Sequence, residues 1–285
     1  MEQHLSHNKV YLLLGAGLAA FILLIKVILP LLAPHDPNAV NVADALQGPG
    51  GEYLFGTDRL GRCVLSRILF GAATSVTTTL LIVFVTVVTG ACLGLLAGYF
   101  GGIANSVIMR IADVFLAFPN LILAIAVAGI LGHGLFNTGL AIASTAWTKY
   151  ARLVRGLTLK EKTKNYILAA ELSGAGAVKS ITKYLLPNIL SQIIVVAAAD
   201  IGGVLLSVAG LSFLGLGAQP PTSEWGYMLY EGKSLLQQAP WLTIFPGVSI
   251  LLTVCLFNFV SDFIRNVLDP MDQTAKGSLY SEKGI

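Results

Sequence analysis

The residues of this chain that could do chemistry are few, and the most isolated of them is Asp200. It lies about twelve residues past Asn188, inside a long apolar run. A carboxylate at mid-membrane depth is costly unless it pairs, meets water or meets a ligand. No basic residue is predicted at the same depth, so Asp200 is the candidate pathway residue. A hydrogen bond from a Ser or Thr on a neighbouring helix explains it as well.

Catalysis by this chain is not indicated. The apolar runs contain no histidine and no close pair of acids that could act as a base and a nucleophile. There is no Gly-x-x-x-x-Gly-Lys-Ser/Thr loop for ATP, and Cys63, Cys92 and Cys255 form no Cys-x-x-Cys pair. We therefore predict no catalytic residue, no zinc site and no intrachain disulfide, and we assign no other metal site.

The elements that must position Asp200 are membrane helices. The 285 residues are 55% hydrophobic and 12% charged, with a mean hydropathy of +0.77. Soluble domains carry about 25% charged residues, so the composition predicts an all-α integral membrane protein. Apolar runs long enough to cross a bilayer give six candidate spans, near Tyr11–Leu32, Ser75–Tyr99, Ile103–Leu131, Leu135–Ala151, Asn188–Leu214 and Trp241–Asn266.

The distribution of Lys and Arg predicts the orientation of these spans. With a cytoplasmic N-terminus, thirteen basic residues fall in inner segments and four in outer ones. That asymmetry follows the positive-inside rule and places both termini in the cytoplasm. The net charge of +3 is then a consequence of topology, and no nucleic-acid partner is indicated.

The most basic loop contains Leu-Ala-Ala-Glu-Leu-Ser-Gly at positions 168–174 and Tyr-Leu-Leu-Pro-Asn at positions 184–188. The pattern predicts two short helices, with a turn at Gly174–Gly176 and a stop at Pro187 before the next span. The pair Ala169-Ala170 just before the turn would leave a low surface that another protein could approach.

The spacing of this loop resembles the cytoplasmic loop of ABC importer permeases. The match consists of Ala-Ala, three residues, Gly, and then an aliphatic-Pro pair; the family's usual acid is replaced by Leu168, although Glu171 lies one turn away. In that family the loop docks into a cleft of an ATP-hydrolysing subunit. The resemblance therefore implies a coupling role for Ala169, Ala170, Glu171, Gly174, Leu186 and Pro187.

Two further segments extend the resemblance. Gly-Thr-Asp-Arg-Leu-Gly-Arg-Cys at 56–63 is similar to the Gly-Thr-Asp-x-x-Gly-Arg-Asp of the peptide and nickel branch, with Cys63 replacing the last Asp. The run 211–226 is the most specific match. Together they identify the chain as similar to the C-type permease subunits of dipeptide, oligopeptide and nickel importers. The implied fold is that of a type I ABC importer permease with six transmembrane helices and a short helical coupling loop.

Physical patterns within these segments give local expectations. Thr57 or Asp58 could cap a short interfacial helix with Arg62 and Arg67 on its wet side. Trp225 would anchor the outer interface.

Other patterns concern the second and third spans. Gly90, Gly94 and Gly98 share one helix face, which suits close packing either within this chain or against a partner permease. Arg110 and Asp113 are three residues apart and are predicted to form an ion pair. Pro119 is predicted to bend the helix of the third span.

We divide the chain accordingly. Residues 1–32 hold the cytoplasmic tail and first span, and 33–74 an outer segment. Residues 75–266 hold the permease core, including the coupling loop 152–187, and 267–285 a second cytoplasmic tail.

By resemblance, the chain is the membrane half of an ATP-driven importer in the cytoplasmic (inner) membrane. ATP and Mg would be used by two separate ATP-binding subunits, a second homologous permease would complete the pathway, and an extracytoplasmic solute-binding protein would deliver cargo. This chain would bind no cofactor. The transport cycle would be alternating access.

Two other classes of protein are weighed against this one. An ion-coupled secondary transporter could use Asp200 as its ion site, but no second acid lies at matching depth in another span. An intramembrane enzyme lacks the necessary groups. For the cargo, Asp200 and Val208 resemble nickel members of the family, which favours nickel or a metal chelate over dipeptides or oligopeptides, the alternative.

Overall fold

The described chain is built almost entirely from helices, as its apolar composition predicts. The computed structural model describes residues 15–17 and 19–268. Residues 15–17 and 19–23 are α-helical, and a π-helical turn at Leu24–Ile28 and a short helix at Leu29–Leu31 follow them. They are followed by α1 (Val64–Phe100), α2 (Gly102–Leu116), α3 (Asn120–Leu131), α4 (Leu135–Lys162), α5 (Asn165–Leu172), α6 (Ala177–Phe213), α7 (Trp225–Gly232) and α8 (Trp241–Leu268).

Three of these helices, α1, α6 and α8, are long and apolar enough to cross a membrane. The pair α2 and α3 makes a fourth crossing if its two bent halves count as one span. Helix α4 contains the predicted fourth span, but its second half is basic. The predicted first span, near Tyr11–Leu32, begins outside the described residues. Of the six predicted spans, the described part of the chain thus supports three or four.

The predicted span Ile103–Leu131 is wrong as a single helix. Helix α2 ends at Leu116 and α3 begins at Asn120, and their axes differ by 93°. Pro119 is the residue before α3, with extended ψ of 124°. A proline has no backbone N–H to continue a helix and restricts the residue before it, so the bend is a complete break rather than the predicted kink.

The chain forms two compact units. One contains the described residues up to Thr79, with His133–Phe136 and Val208–Leu251. The other contains Leu80–Gly132, Asn137–Ser207 and the described residues from Leu252 onward.

Within the second unit, α1 and α4 pack with their backbones close together. A Cβ added at Gly90 would lie 2.5 Å from Cβ of Tyr150, and one at Gly94 would lie 2.6 Å from the carbonyl oxygen of Ala151. Real Cβ atoms do not approach other atoms this closely, so only glycine fits. The glycine face of α1 therefore packs within this chain, which decides between the two sequence interpretations.

A hydrophobic cluster extends this packing to α6. It consists of the buried side chains of Leu95, Val154, Ile189 and Ile193. Helices α1, α4 and α6 are thus packed against one another around Val154, in the part of α4 that precedes the predicted coupling loop. Their apolar contacts provide the rigid support for the polar groups described below.

Candidate functional site

The predicted coupling loop turns sharply at Gly174, as its sequence indicates. Helix α5 ends at Leu172, and Gly174 follows with φ of +83°. The backbone N–H of Ala175 donates to the carbonyl of Ala170 at 3.0 Å. This is the Schellman arrangement, in which a residue with positive φ closes the helix end and glycine is strongly preferred. The prediction of a tight turn at this position is confirmed.

The second half of the loop differs from the prediction, because Pro187 does not stop a helix. Helix α6 begins at Ala177 and continues through a π-helical segment, Ser180–Leu185, into Leu186–Phe213. The N–H of Leu186 donates to the carbonyl of Ile181, one residue further back than in an α-helix. A π-helical turn shifts the hydrogen-bond register just before Pro187, where the missing N–H would otherwise interrupt the helix.

The exposed surface of the loop is only partly the one that the sequence indicates. Ala169 and Pro187 are exposed and Leu186 is half-buried, while Ala170 faces inward with 9% exposure. The side chain of Glu171 lies outside the described residues. Three large apolar side chains that sequence reasoning did not select are exposed, namely Leu168, Leu172 and Val178. Their i, i+4 spacing on α5 was the available signal for the first two.

A polar contact connects the end of α4 to the start of α5. The hydroxyl of Tyr166 donates to Glu161, and Nζ of Lys164 lies 2.8 Å from the same carboxylate. Burial raises the pKa of the Tyr166 hydroxyl, and its hydrogen bond to Glu161 raises it further. Glu161 therefore fixes the direction in which the loop leaves α4.

Asp200 is not a lone carboxylate. Nζ of Lys149 lies 2.5 Å from Asp200 Oδ1, and the hydroxyl of Tyr150 donates to Oδ2 at 2.7 Å. The prediction that no basic residue shares its depth is wrong. Lys149 lies near the inner end of the predicted span Leu135–Ala151, but α4 runs on to Lys162, so Lys149 is halfway along the observed helix.

A second ion pair lies one turn further along α4. Arg152 Nη2 pairs with Asp113 Oδ1 of α2, and the two side chains are 53% and 61% exposed. The expected pairing of Asp113 with Arg110 is therefore replaced by a contact between helices. One more turn along α4, Arg155 donates to the side-chain oxygen of Asn105. Three successive cationic residues of α4 thus meet acceptors on other helices.

In the first unit, the segment before α1 forms a buried ionic cluster instead of the predicted interfacial helix. Thr57 pairs with Cys63 as an isolated antiparallel bridge, and α1 begins directly afterwards. Arg62 and Arg67, expected on a wet surface, are 5% and 2% exposed. Charged side chains are rarely buried unless they are paired. One partner, Asp58, is four and nine residues from the arginines, but the other, Glu231, is more than 160 positions away and could not be found from the sequence.

The cluster consists of two arginines and two carboxylates. Asp58 Oδ2 lies 2.6 Å from Arg62 Nε and 2.5 Å from Arg67 Nη1. Glu231 of α7 binds the same arginines at 3.0 and 2.6 Å. Burial alone would lower the pKa of Arg62, but the carboxylates of Asp58 and Glu231 outweigh it and raise that pKa. The cluster fastens α7 to the start of α1.

The N-terminus of α7 is fixed by Glu224 and Trp225. The Glu224 carboxylate accepts from the N–H groups of Gly226 and Tyr227 at 2.9 and 2.8 Å, and from the Ser75 hydroxyl at 3.1 Å. Burial raises the pKa of Glu224, against the opposite effect of these hydrogen bonds. Trp225 is 3% exposed and its indole donates to the Ile68 carbonyl, so it is a buried element and not the predicted interface anchor.

Between residues 15 and 268, with residue 18 left out, no group of three or more His, Cys, Asp or Glu side chains could hold a metal ion. Oxygen and imidazole ligands for a resident ion usually come in such groups. Asp200, the predicted pathway residue, has polar and charged neighbours, namely Lys149 and Tyr150.

The long apolar helices are those of a membrane-embedded protein, and the basic helical loop carries an exposed apolar surface. Residues 90–271 match the family described as "Binding-protein-dependent transport system inner membrane component". The chain belongs to this family and is the permease subunit of an ABC importer. Such a permease works with ATP-binding subunits and a substrate-binding protein, and the family is one of the inner membrane.

Several characterised relatives cover most of the chain. The dipeptide permease DppC of Haemophilus influenzae is 40% identical, over 90% of each chain. The glutathione permease GsiD of Pectobacterium atrosepticum is 44% identical, over 84% of this chain and 80% of its own. The nickel permease NikC of Escherichia coli is 37% identical, over 83% of this chain and 86% of its own.

The fold has a counterpart among solved structures. The inward-facing MetNI methionine ABC transporter matches with a TM-score of 0.58 over 71% of this chain and 96% of the other, at 21% sequence identity. At that level of identity the likeness concerns the fold alone. It supports the predicted type I importer permease architecture.

Proposed function

We propose that this chain is one of two related permease subunits of an importer for short peptides. The observation that carries the choice of cargo is the pairing of Asp200 with Lys149 and Tyr150. A free carboxylate would lower the barrier for a dication, but a neutralised one does so much less. Relatives that transport dipeptides and glutathione agree with this proposal.

Nickel or a metal chelate, which the sequence alone favours, is the second candidate. It is supported by the similarity to NikC and by Val208, a fully buried residue at a position where the sequence resembles nickel members of the family. The part of the nickel hypothesis that treated Asp200 as a lone charge no longer holds. The carboxylate does remain partly accessible, with 24% of its side chain exposed.

The coupling loop would transmit the work of ATP hydrolysis. Loop 152–187 presents Leu168, Leu172 and Val178 as an exposed apolar surface next to the fixed turn at Gly174. We infer that this surface, with Ala169 and Pro187, enters a cleft in one of two ATP-binding subunits. ATP and Mg would be used in those subunits, and this chain would bind no cofactor. Movement of the docked loops would reorient the membrane helices between inward- and outward-facing states, which is alternating access.

An ion-coupled secondary transporter is the less favoured alternative. It would need an acid able to bind and release an ion, and Asp200 already has two partners in the described structure. Vanadate-sensitive uptake supports the importer, and uptake driven by an ion gradient without ATP would contradict it.

Cargo can be assigned by reconstituting the complete assembly in vesicles with its solute-binding protein. We expect ATP-dependent uptake of L-alanyl-L-alanine to exceed uptake of Ni²⁺ by at least about tenfold. A site whose polar groups pair with one class of cargo leaves those groups unpaired with the other class, and discriminates between the two by at least that factor. Both cargoes are to be supplied at saturating concentration of the binding protein. Preferential uptake of Ni²⁺ would reverse the proposal in favour of the second candidate.

The predicted orientation, with both termini in the cytoplasm, can be tested by labelling. Lys160 at the basic end of α4 and Gln237 after α7 are both exposed. A cysteine replacing Lys160 should react with a membrane-impermeant maleimide only from the cytoplasmic side, and one replacing Gln237 only from the outside. The opposite result would overturn the orientation and the proposed position of the coupling loop. The division of the chain at residues 32, 74 and 266 also stays a prediction.

A further inference from the structure

Two adjacent ion pairs on α4 lie where charges are costly. Lys149 is halfway along α4, and Asp200 is halfway along Leu186–Phe213, the part of α6 that follows the π-helical segment. Helix α6 is apolar and long enough to cross the bilayer, and its residue Asp200 is paired with Lys149, so the pair lies at membrane depth. Arg152 and Asp113 form the next pair, one turn away on α4.

These pairs are not sealed inside the described fold. The side chain of Lys149 is 56% exposed, and those of Arg152 and Asp113 are 53% and 61% exposed. Charged heads that are open to this degree at membrane depth do not face lipid tails. Their surface must therefore border water or another protein, and a pathway through the assembly supplies water.

The arrangement of charge has a chemical meaning for cargo. Lys149 presents an ammonium group with hydrogen-bonding capacity beyond its contact with Asp200, since an ammonium has three N–H donors. Tyr150 is 2% exposed and its hydroxyl donates to Asp200, whereas the side chain of Lys149 is 56% exposed and can be reached from outside the described fold. The pair can thus open without losing the position of the carboxylate.

We propose that Lys149 and Asp200 form a zwitterion site in the transport pathway, where the ammonium binds the carboxylate end of a passing peptide and Asp200 binds its amino end. The Arg152–Asp113 pair offers a second, similar binding site for a zwitterion, one turn further along α4. This inference rests on the proposed function for its cargo class. A free dication would find one partner in such a site, whereas a zwitterion finds two.

The first test asks whether Lys149 borders water. Lys149→Cys is prepared with Cys92 and Cys255, both exposed, replaced by serine; Cys63 is buried. We expect the new thiol in the complete, membrane-embedded assembly to react with the charged reagent trimethylammonium-ethyl methanethiosulfonate. Phe84→Cys, an exposed apolar position on α1, is the matched control and should react at least about tenfold more slowly, because lipid excludes the thiolate.

The second test asks whether the charge serves cargo. Lys149→Cys should lower ATP-dependent uptake of L-alanyl-L-alanine about tenfold, equivalent to about 1.4 kcal/mol. Aminoethyl methanethiosulfonate adds an ammonium to the thiol and should restore most of the uptake. L-alanyl-L-alanine delivered by the binding protein should slow the labelling.

Two results would overturn the proposal. An unreactive thiol would show that protein or lipid covers Lys149. Native uptake by unlabelled Lys149→Cys would show that the charge has no part in transport.

A double variant separates a pathway role from a structural one. In Lys149→Gln/Asp200→Asn no unpaired charge remains, so a purely structural pair should leave uptake near native. We expect the double variant to keep native thermal stability and yet to stay about tenfold low in uptake; recovery of uptake would overturn the site. A native assembly that imports only Ni²⁺ would refute the peptide proposal. The labelling of Lys149→Cys does not depend on the cargo, so it tests the water-facing position of Lys149 independently.

Discussion

Replacing Gly174 by valine is expected to lower transport by about 5–30-fold while the chain remains in the membrane at its native level. Gly174 has φ of +83°, and its turn is closed by the hydrogen bond from Ala175 to Ala170. A side chain in this left-handed conformation costs about 1–2 kcal/mol, and a β-branched one is a severe outlier there. A cost of that size shifts a conformational equilibrium by about 5–30-fold, away from the turn that places Leu168 and Leu172.

Gly176 provides the matched control. It has φ of −70° and ψ of 166°, an extended conformation that any residue adopts, and no atom lies within 4 Å of an added Cβ. Gly176→Val should therefore keep the turn. Both variants are compared for ATP-dependent uptake and for cross-linking of the loop to the ATP-binding subunit. Native cross-linking and uptake in Gly174→Val would show that the coupling assignment is wrong.

Arg67→Leu is expected to have the largest effect on stability. The guanidinium is almost completely buried and bridges Asp58 at 2.5 Å and Glu231 at 2.6 Å. Its removal leaves two carboxylates to share Arg62. Breaking one partner of a buried ion pair costs about 3–5 kcal/mol, a large part of the total of about 5–15 kcal/mol that stabilises a typical protein.

We expect little Arg67→Leu protein to accumulate in the membrane, and a lower thermal unfolding temperature in detergent for what does. Arg59→Leu is the control, since Arg59 lies in the same segment but is exposed. Arg67→Lys should be intermediate, because an ammonium cannot span both carboxylates with a planar fork. Equal melting temperatures for Arg67→Leu and Arg59→Leu would show that the cluster does not hold α7 to α1.

The sequence was most informative where structure is decided locally. The turn at Gly174 was predicted because the chemistry of a helix end depends on a few neighbouring residues. The break near Pro119 was underestimated as a kink, and the stop at Pro187 was wrong. A proline sets a local constraint on the backbone. Whether the helix then breaks, as at Pro119, or continues through a π-helical turn, as at Pro187, depends on what the next segment packs against.

Pairings between distant segments were not predictable in the same way. Glu231 is more than 160 positions from both arginines it binds, and Asp200 is 51 positions from Lys149. A single sequence contains no signal for such contacts. The predicted wet surface for Arg62 and Arg67 and the predicted isolation of Asp200 were both wrong for this reason.

The sequence by itself determined the helical membrane class, the resemblance to importer permeases and the tight turn at Gly174, because hydrophobic length and turn residues act over short stretches of chain. Only the tertiary structure decided that the glycine face of α1 packs on α4, that Arg62 and Arg67 are buried, and that Lys149 neutralises Asp200. These features depend on which helix lies beside which, and burial and charge pairing take their energies from neighbours in space rather than in sequence.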